Sequence, residues 1–370
     1  MGKGAPVEIW VGTRKGAFRF RSRSRDRKKW ELDEPAFAGQ EVHHVAQDPR
    51  DPARVYAAVG TAWFGSHLHI SEDGGRTWRQ SGEGLSAAGL PPDADGKPAA
   101  LKRIWHIAPG AADDPGGVWL GGDPGVLFRS TDKGASWTLV EGLSLHPSRE
   151  KFWFAGAGGL MVHSIQPLGK GRIVVGISAA GAFRSGDLGK TWEPHNLGVL
   201  ADFAPVPFPE VGQCVHKLLA HPKHPSDLYQ QNHCGVYKGK FGGRKWTDIS
   251  EGLPGRFGFA LAVPGGEDET IFTLPVKSPM ERYVPEGKLR VARSRDAGRT
   301  WELTGKGLPQ ENAFDLVVRE AMTSDPLSPA GVYFGTQNGA VYYTRNAGDS
   351  WHLLADHLPP VYSVTFATGV

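Results

Sequence analysis

The chain repeats one short motif along its length, in which a Ser or Thr is followed by Asp, then Gly, then a closing Trp. Because a repeated unit buries its apolar face only against its neighbours, recurrence at intervals of about 50 residues indicates stacked structural repeats. Four copies are intact and two are degraded. The intact copies are SEDGGRTW from Ser71, STDKGASW from Ser130, SGDLGKTW from Ser185 and SRDAGRTW from Ser294, and the degraded copies are GKFGGRKW from Gly239 and TRNAGDSW from Thr344.

The number of closing tryptophans gives the number of repeat units. Six of them, spaced 50 to 59 residues apart, are Trp78, Trp137, Trp192, Trp246, Trp301 and Trp351. Trp30 lies 48 residues before Trp78 and closes a segment that lacks the Asp-Gly turn. Counting that segment, the chain contains seven units.

Each unit consists of short apolar runs, such as VYAAVG from Val55 and IVVGIS from Ile173, bounded by Gly, Pro and Asp. Runs of this length and composition are typical of strands. Four antiparallel strands in a unit of about 50 residues describe one blade of a β-propeller. The sequence therefore predicts an all-β, seven-bladed β-propeller with four-stranded antiparallel blades, in which residues 1–370 form a single domain.

The two ends of the chain predict how the ring closes. EIWVG, from Glu8, matches the second strand of a blade, and VYSVTFA, from Val361, matches a first strand. The C-terminal strand should therefore complete the first blade and leave no long unpaired sheet edge.

The repeat resembles the Asp-box, or bacterial neuraminidase repeat, of sialidases, xyloglucanases, sortilin-type receptors and photosystem assembly factors. The resemblance covers the whole chain and implies a β-propeller. It also implies an architectural role for the boxes: Asp accepts backbone N–H bonds in a tight turn, Gly supplies positive φ, and Trp packs between sheets. Because the family includes both enzymes and receptors, the resemblance does not specify a function.

Two activities found among these relatives are not expected here. Sialidases need three arginines, a Tyr with a Glu partner and an Asp acid, and their first arginine lies in an Arg-Ile-Pro segment that this chain lacks. Xyloglucanases place two acids across a cleft between two propellers, whereas this sequence predicts a single propeller.

Composition narrows the possible partners. The 42 Lys and Arg residues nearly balance the 39 Asp and Glu residues, and a net charge of +3 does not indicate a nucleic-acid partner. The basic run Arg21–Lys29 is expected to be a solvated hairpin tip. No apolar stretch is long enough to cross a membrane, and the N-terminus lacks the apolar core of a signal peptide. We expect a cytoplasmic protein with free thiols at Cys214 and Cys234.

The ligand face of a propeller is formed by the links into the first strands and the turns between second and third strands. We call this the top face. Its basic residues suit an anionic or polyhydroxyl substrate, and its tryptophans suit stacking against one. A long insert in the sixth unit also belongs here, because long loops on rigid scaffolds carry binding. The expected substrate-binding residues are Arg14, Lys15, Trp63, Arg103, Trp153 and Arg282.

Histidines recur at the start of the predicted first strands. Aligning these strands gives the column His43, Trp105, His163, His216, Phe259, Phe314 and Tyr362. His44 and His106 lie one position later, and His233 lies on a turn beside His216. Converging neutral imidazoles bind Zn, Cu or Fe, and they transfer protons near neutral pH. The alternative is structural, in which each His bonds the backbone of the next blade.

We therefore predict a His-rich axial pocket that acts on or binds a polar small molecule or glycan, with metal-assisted chemistry of hydrolase or lyase type. The candidate catalytic residues are His163, His216, His233, Glu281 and Tyr283. The candidate metal ligands are His43, His106, His163, His216 and His233. The alternative function is a non-catalytic scaffold that binds a protein partner on the top face, and neither alternative involves nucleic acid or a membrane.

Overall fold

The computed structural model describes residues 6–61, 65–92, 96–156 and 158–369. Within these ranges the chain forms seven four-stranded antiparallel sheets, as predicted. The first blade contains β1 (Val7–Thr13), β2 (Gly16–Ser22) and β3 (Glu31–Leu32), and the second contains β4 (Glu41–Asp48), β5 (Asp51–Thr61), β6 (Gly65–Ser71) and β7 (Arg79–Ser81). The third blade contains β8 (Arg103–Pro109), β9 (Val118–Asp123), β10 (Val126–Ser130) and β11 (Thr138–Leu139). The fourth blade contains β12 (Met161–Gly169), β13 (Arg172–Ser178), β14 (Gly181–Ser185) and β15 (Glu193–Pro194).

The remaining three blades repeat this pattern, and a last strand returns to the first blade. The fifth blade contains β16 (Val215–Ala220), β17 (Asp227–Asn232), β18 (Gly235–Lys240) and β19 (Thr247–Asp248). The sixth blade contains β20 (Gly258–Ala262), β21 (Ile271–Pro275), β22 (Val291–Ser294) and β23 (Glu302–Thr304). The seventh blade contains β24 (Met322–Ser324), β25 (Val332–Gly335), β26 (Val341–Thr344) and β27 (His352–Ala355), and the last strand is β28 (Val361–Thr368).

The ring closes through the C-terminal strand. β28 pairs antiparallel with β1, from Val7 opposite Thr368 to Val11 opposite Val364, which confirms the predicted closure. The innermost strand of each blade contacts the innermost strands of both neighbours, so the seven inner strands β28, β4, β8, β12, β16, β20 and β24 surround a common axis. They begin at the top face, and we call the opposite end of the axis the lower face.

In the described ranges, helices are few and short. They are α1 (Glu141–Ser144), α2 (Arg149–Phe152) and a 3-10 turn at Pro285–Gly287. Among the residues that the structure describes, no helix has the length and apolar character needed to span a bilayer.

The Ser-x-Asp turns join the third and fourth strands, and their hydrogen bonds repeat from blade to blade. In the fourth blade, Asp187 accepts bonds from the Thr191 N–H at 2.9 Å and the Thr191 hydroxyl at 2.6 Å. The Ser185 hydroxyl donates to Asp187 at 2.8 Å and accepts from the Gly189 N–H at 2.9 Å. These bonds hold the Trp192 indole, whose N–H donates to the Gly189 carbonyl at 2.9 Å. The turn is thus closed by its own side chains.

The tryptophans help to fill the space between blades. Trp192, at 7% exposure, belongs to an apolar cluster with Trp119 and Leu127 of the third blade and Phe183 of its own. Gly189 has a positive φ of 82°, and a Cβ there would lie 3.1 Å from the Trp119 ring, so both the turn and the packing require Gly. The core of the ring therefore lies between neighbouring sheets.

Inner strands carry a β-bulge near their first residues. In β4 the register shifts between Val42 and His44, which leaves His43 unpaired. The extra residue is Trp105 in β8, His163 in β12, His216 in β16 and Tyr362 in β28, and in β20 the shift spans Phe259. A bulge re-aims the side chain at the extra position and is often found beside functional sites. Six members of the aligned column therefore lie at equivalent positions.

The seventh member of the column was misplaced. β24 begins at Met322, eight residues after Phe314, and Phe314 is 61% exposed with its ring against Tyr283. An Asp-Pro pair follows the inner strand in both the second blade, at Asp48, and the seventh blade, at Asp325, and the shared pair aligns the two segments. Counting five residues back from Asp48 gives His43, and five back from Asp325 gives Glu320. This count aligns Glu320 with His43, whereas its side-chain partners in the structure, His106 and Lys217, lie one position after the column.

Candidate functional site

Three side chains of the types that bind soft and borderline metals lie together at the top of the fifth blade. Cys214 precedes β16, His216 is the bulged residue of β16, and His233 is on the turn between β17 and β18. One ligand atom from each side chain lies within 4.8 Å of the others. The bulge aims His216 away from the sheet, and the β-turn carries His233 back over it, with the two rings 5.5 Å apart.

The hydrogen bonding of His216 selects one nitrogen for ligand binding. Its Nδ1 donates to the Gly258 carbonyl at 2.6 Å, so the lone pair is on Nε2. A carbonyl partner on the far nitrogen is the arrangement that orients metal-binding imidazoles. Burial lowers the pKa of His216 well below its usual value, so the ring is neutral at neutral pH. Burial also lowers the pKa of His233, while Asp202 acts in the opposite direction.

The cluster lines a cavity of about 150 Å³ with a mixed apolar and cationic wall. Two guanidinium groups face it, with Arg319 centred 5.0 Å and Arg282 5.9 Å from the Phe259 ring. The other wall residues are Phe154, Gly156, Gly158, Ser178, Ala179, Phe203 and Phe257. Two arginines in a small aromatic cavity favour a ligand that carries an anionic group.

Ser178 links the cysteine to the arginine. Its hydroxyl lies 3.1 Å from the Cys214 sulfur, and Arg319 donates to the same hydroxyl at 3.3 Å. Ser178 therefore holds the Cys214 sulfur close to the Arg319 guanidinium. Sequence reasoning treated Cys214 as an ordinary free thiol, because its partners lie on other strands.

The second cysteine, Cys234, has a different environment. Its thiol donates to the Asp202 carboxylate at 3.0 Å, and burial raises its pKa to about 12. Cys234 therefore stays protonated, and both cysteines are free.

His163 has the hydrogen bonding expected of a structural histidine, which bonds the backbone of the next blade. Its Nε2 donates to the Val215 carbonyl of the next blade at 2.8 Å, and its Nδ1 lies 3.2 Å from the Ser164 hydroxyl. The side chain is fully buried. Both nitrogens are engaged, so the geometry places His163 in the inter-blade hydrogen-bond network instead of among the ligands of the cavity.

His43 lies in a second top-face cavity of about 180 Å³, which shares Arg319 with the first. Its Nε2 donates to Glu41 at 2.5 Å, and its ring is stacked between Trp105, at 5.5 Å, and Tyr362, at 4.9 Å. Burial lowers the pKa of His43 although Glu41 acts against this. Arg103 also lines this cavity, and with Arg14 and Lys102 it lines the adjoining groove of about 540 Å³.

The other predicted site residues are dispersed. Trp153 is 8% exposed, and its ring packs on Phe183 in the core. Glu281 accepts from the Tyr283 hydroxyl at 3.0 Å on the outer loop of the sixth blade, while the intervening Arg282 lines the Cys214 cavity. Lys15 is exposed on the β1–β2 turn, and Trp63 lies outside the described residues.

A further polar cluster occupies the axis below the top face. Its centre is Glu320, 4% exposed, whose Oε2 accepts from His106 Nδ1 at 3.2 Å and from the Lys217 ammonium. His44 Nε2 lies 3.8 Å from the same oxygen. We call these four residues the hub. Sequence reasoning found His106 but missed Lys217 and Glu320, although the Asp-Pro register of the seventh blade would have identified Glu320.

His44, His106 and Glu320 have the donor set of a metal site, with their ligand atoms within 4.8 Å of one another. Their hydrogen bonding opposes that role. His44 Nδ1 accepts the Ile107 N–H at 3.3 Å, which leaves a proton on the Nε2 that faces Glu320. The Lys217 ammonium supplies a positive charge at the carboxylate. The hub is therefore a carboxylate surrounded by hydrogen-bond donors, and this arrangement disfavours a bound metal.

No protein-family model and no curated protein matches the sequence. Solved structures do match the fold. A protein from Lactobacillus plantarum has a TM-score of 0.60 and 13% identity over 98% of this chain and 99% of its own. YCF48 bound to a D1 peptide has a TM-score of 0.52 and 15% identity over 88% of this chain and 96% of its own.

An ancestral GH74 enzyme has a TM-score of 0.58 and 16% identity over 94% of this chain and 40% of its own. This chain thus spans about two fifths of that enzyme's length. At these identities the likeness shows the propeller fold alone.

Proposed function

We propose that this propeller is a metal-assisted enzyme of hydrolase or lyase type that acts on a small anionic molecule at the Cys214 cavity. The observation that carries the proposal is the convergence of Cys214, His216 and His233 within 4.8 Å beside two arginines. Three protein ligands with a fourth position left open are typical of catalytic zinc sites, in which the metal acts as a Lewis acid.

Each group of the cavity has a role in this proposal. Arg282 and Arg319 bind the anionic group of the substrate. Ser178, which bonds both Cys214 and Arg319, fixes the sulfur relative to the guanidinium. The Gly258 carbonyl keeps His216 in the tautomer whose Nε2 is free. The buried rings of Phe257 and Phe259 limit the access of water to the reacting groups, which strengthens the electrostatic interactions inside.

The test is metal analysis of protein purified without a His tag, followed by cobalt substitution. We expect one equivalent of a transition metal per chain, and a thiolate-to-cobalt charge-transfer band after exchange. Cys214→Ser should abolish the band, and His216→Ala should lower the affinity at least tenfold, because each removes a ligand. Cys234→Ser is the matched control and should leave both measurements unchanged, since the Cys234 thiol is bonded to Asp202.

The pH dependence of cobalt binding gives a second readout. Protons compete with a metal for thiolate and imidazole ligands, so affinity should fall as the pH is lowered. Metal-free protein, or a cobalt band that survives Cys214→Ser, would exclude the metal site.

A non-catalytic platform is the second candidate, and one observation favours it. Large apolar side chains stand exposed in the two segments beside the cavity. They are Phe152 at 51%, Phe154 at 45%, Phe203 at 41%, Val206 at 58% and Phe208 at 57% exposure. Exposed apolar groups gathered in this way are typical of protein interaction sites. A metal-free protein whose cavity binds no small anion would leave the platform as the better explanation.

A further inference from the structure

A separate cavity of about 420 Å³ lies on the axis below the hub and is lined by residues at the ends of the inner strands. Its walls are largely apolar, and Pro222, Gly265 and Pro326 stand near its lower end. The apolar wall side chains are Leu219, Ala220, Leu261, Ala262, Val263, Met322, Val364 and Phe366. This volume is within the range of small-molecule sites, which combine apolar walls with a few converging polar groups.

The roof of this cavity is the hub, whose four members all line it. All four side chains are at least nine-tenths buried. Burial alone would raise the pKa of Glu320, but Lys217, His106 and His44 together lower it well below its usual value, so the carboxylate is ionised. Burial lowers the pKa of His44 well below its usual value, so His44 is neutral.

One oxygen of the roof has no partner. The described contacts of the Glu320 side chain all go to Oε2, and Oε1 is buried without a hydrogen-bond donor. An unpartnered buried carboxylate oxygen is costly, and because Glu320 lines this cavity, a donor bound in the cavity would relieve that cost. The adjacent Lys217 ammonium already balances the carboxylate charge. A cationic donor would be repelled by Lys217, and an anionic ligand would be repelled by Glu320.

We propose that the lower axial cavity is a second binding site, for a small neutral molecule that donates a hydroxyl hydrogen bond to Glu320 and packs an apolar body against the walls. The hydroxyl oxygen can also accept one of the remaining Lys217 protons, so a single hydroxyl satisfies both members of the ion pair. The site is independent of the proposed metal chemistry, because it lies on the opposite side of the hub from the Cys214 cavity.

Benzyl alcohol is a suitable probe, because it pairs one hydroxyl with a compact apolar body. Three matched compounds test the head group: benzyl methyl ether lacks the donor, benzylamine is a cation at neutral pH, and benzoate is an anion. We expect benzyl alcohol to bind with a Kd of about 1 mM and each of the others to bind at least tenfold more weakly. Titration calorimetry of the full chain measures all four.

The methionines report the place of binding. The chain has four, and Met322 lines the cavity, whereas Met161 is buried in β12 and Met280 is 91% exposed. In protein with isotope-labelled methionine methyls, benzyl alcohol should shift the Met322 resonance and leave those of Met161 and Met280 in place. This readout does not depend on any variant that could fail to fold.

Blocking the cavity should abolish binding. Ser324→Phe places a ring in the cavity wall, whereas Thr138→Phe, on the exposed outer strand β11, is the matched control. The proposal is overturned if benzyl alcohol at about 10 mM leaves Met322 unshifted, if Ser324→Phe binds as well as the parent, or if the methyl ether binds equally well. None of these outcomes depends on the metal content of the Cys214 site.

Discussion

At the residue scale, the carboxylate of each Ser-x-Asp turn stabilises that turn by accepting hydrogen bonds from within it. Hydrogen bonds from Thr191 and Ser185 stabilise the ionised form of Asp187 and lower its pKa to about 2 from 3.8. Asp132 and Asp296 have the same shift in their own turns, to about 2. The seventh blade has Asn346 at this position, which accepts from the Ser350 N–H at 3.1 Å and donates to the Ser350 hydroxyl at 3.0 Å.

Asp187→Ala should lower the free energy of unfolding by about 1 kcal/mol at pH 7, because it removes the acceptor of the turn. The loss should shrink as the pH falls from about 4 to about 2. In that window the unfolded carboxyl binds a proton that the native one does not, so the parent loses the contribution of Asp187. Calorimetric Tm values at pH 7, 4 and 2.5 measure this.

Asn346→Asp is the converse variant and should gain stability at pH 7 but not at pH 2.5. A Tm difference between Asp187→Ala and the parent that stays constant from pH 7 to 2.5 would contradict the role of the ionised carboxylate.

At the element scale, the turn between β2 and β3 ties the first blade to the seventh. We expected the basic run Arg21–Lys29 to be solvated, and that is wrong for Arg27, which is 4% exposed. Its guanidinium bonds Asp325 at 2.8 Å and the carbonyls of Pro329 and Arg345. Asp325, fully buried, also accepts from the Tyr333 hydroxyl at 2.8 Å. The turn that lacks the Asp-Gly motif has this inter-blade ion pair in its place.

Arg27→Ala should destabilise the protein by about 3–5 kcal/mol, because it leaves Asp325 buried without its cation. Arg23→Ala in the same run should cost less than about 1 kcal/mol, since the Arg23–Glu31 pair is exposed. Urea unfolding midpoints compare the two variants. The double variant Arg27→Ala/Asp325→Ala should lose less than the sum of its single changes. Equal losses for Arg27→Ala and Arg23→Ala would contradict the inter-blade role.

At the scale of the whole molecule, stability depends on closing the ring with β28. This strand pairs with β1 of its own blade and also bonds the second blade, where the Thr365 hydroxyl donates to the Val45 carbonyl at 2.8 Å. Gln47 donates to the Thr368 carbonyl at 2.8 Å. The last strand therefore holds the first and second blades together.

A chain that ends at Pro360 should lose its cooperative unfolding transition and form oligomers, because the inner edge of β1 is left unpaired. Circular dichroism melting and size-exclusion chromatography measure both effects. A peptide with the sequence of residues 361–370 should restore the monomer when it is added in trans, by completing the sheet. A truncated chain that is monomeric and has the parent Tm would show that β28 is dispensable.

Much of the fold could be predicted from the sequence because its signals are local. A blade is specified by strand-length apolar runs and by turns such as Ser185–Trp192, in which the interacting residues are at most a few positions apart. The register of the seventh inner strand was misjudged because an irregular segment precedes it. The apolar character of Phe314 matched the column, whereas the strand begins at Met322.

The sites are different, because residues of several blades complete them: Ser178 and Arg319 join the fifth-blade cluster, and the hub combines four inner segments. The sequence by itself determined that the chain makes seven sheets, that its last strand completes the first blade, and that His216 and His233 share one end of the fifth blade. Only the tertiary structure decided that Cys214 joins them, that both nitrogens of His163 are engaged by hydrogen bonds, and that Glu320 meets Lys217 across the axis. The physical reason is that the ring brings inner strands together at distances set by bulges and inter-blade packing, which no local pattern encodes.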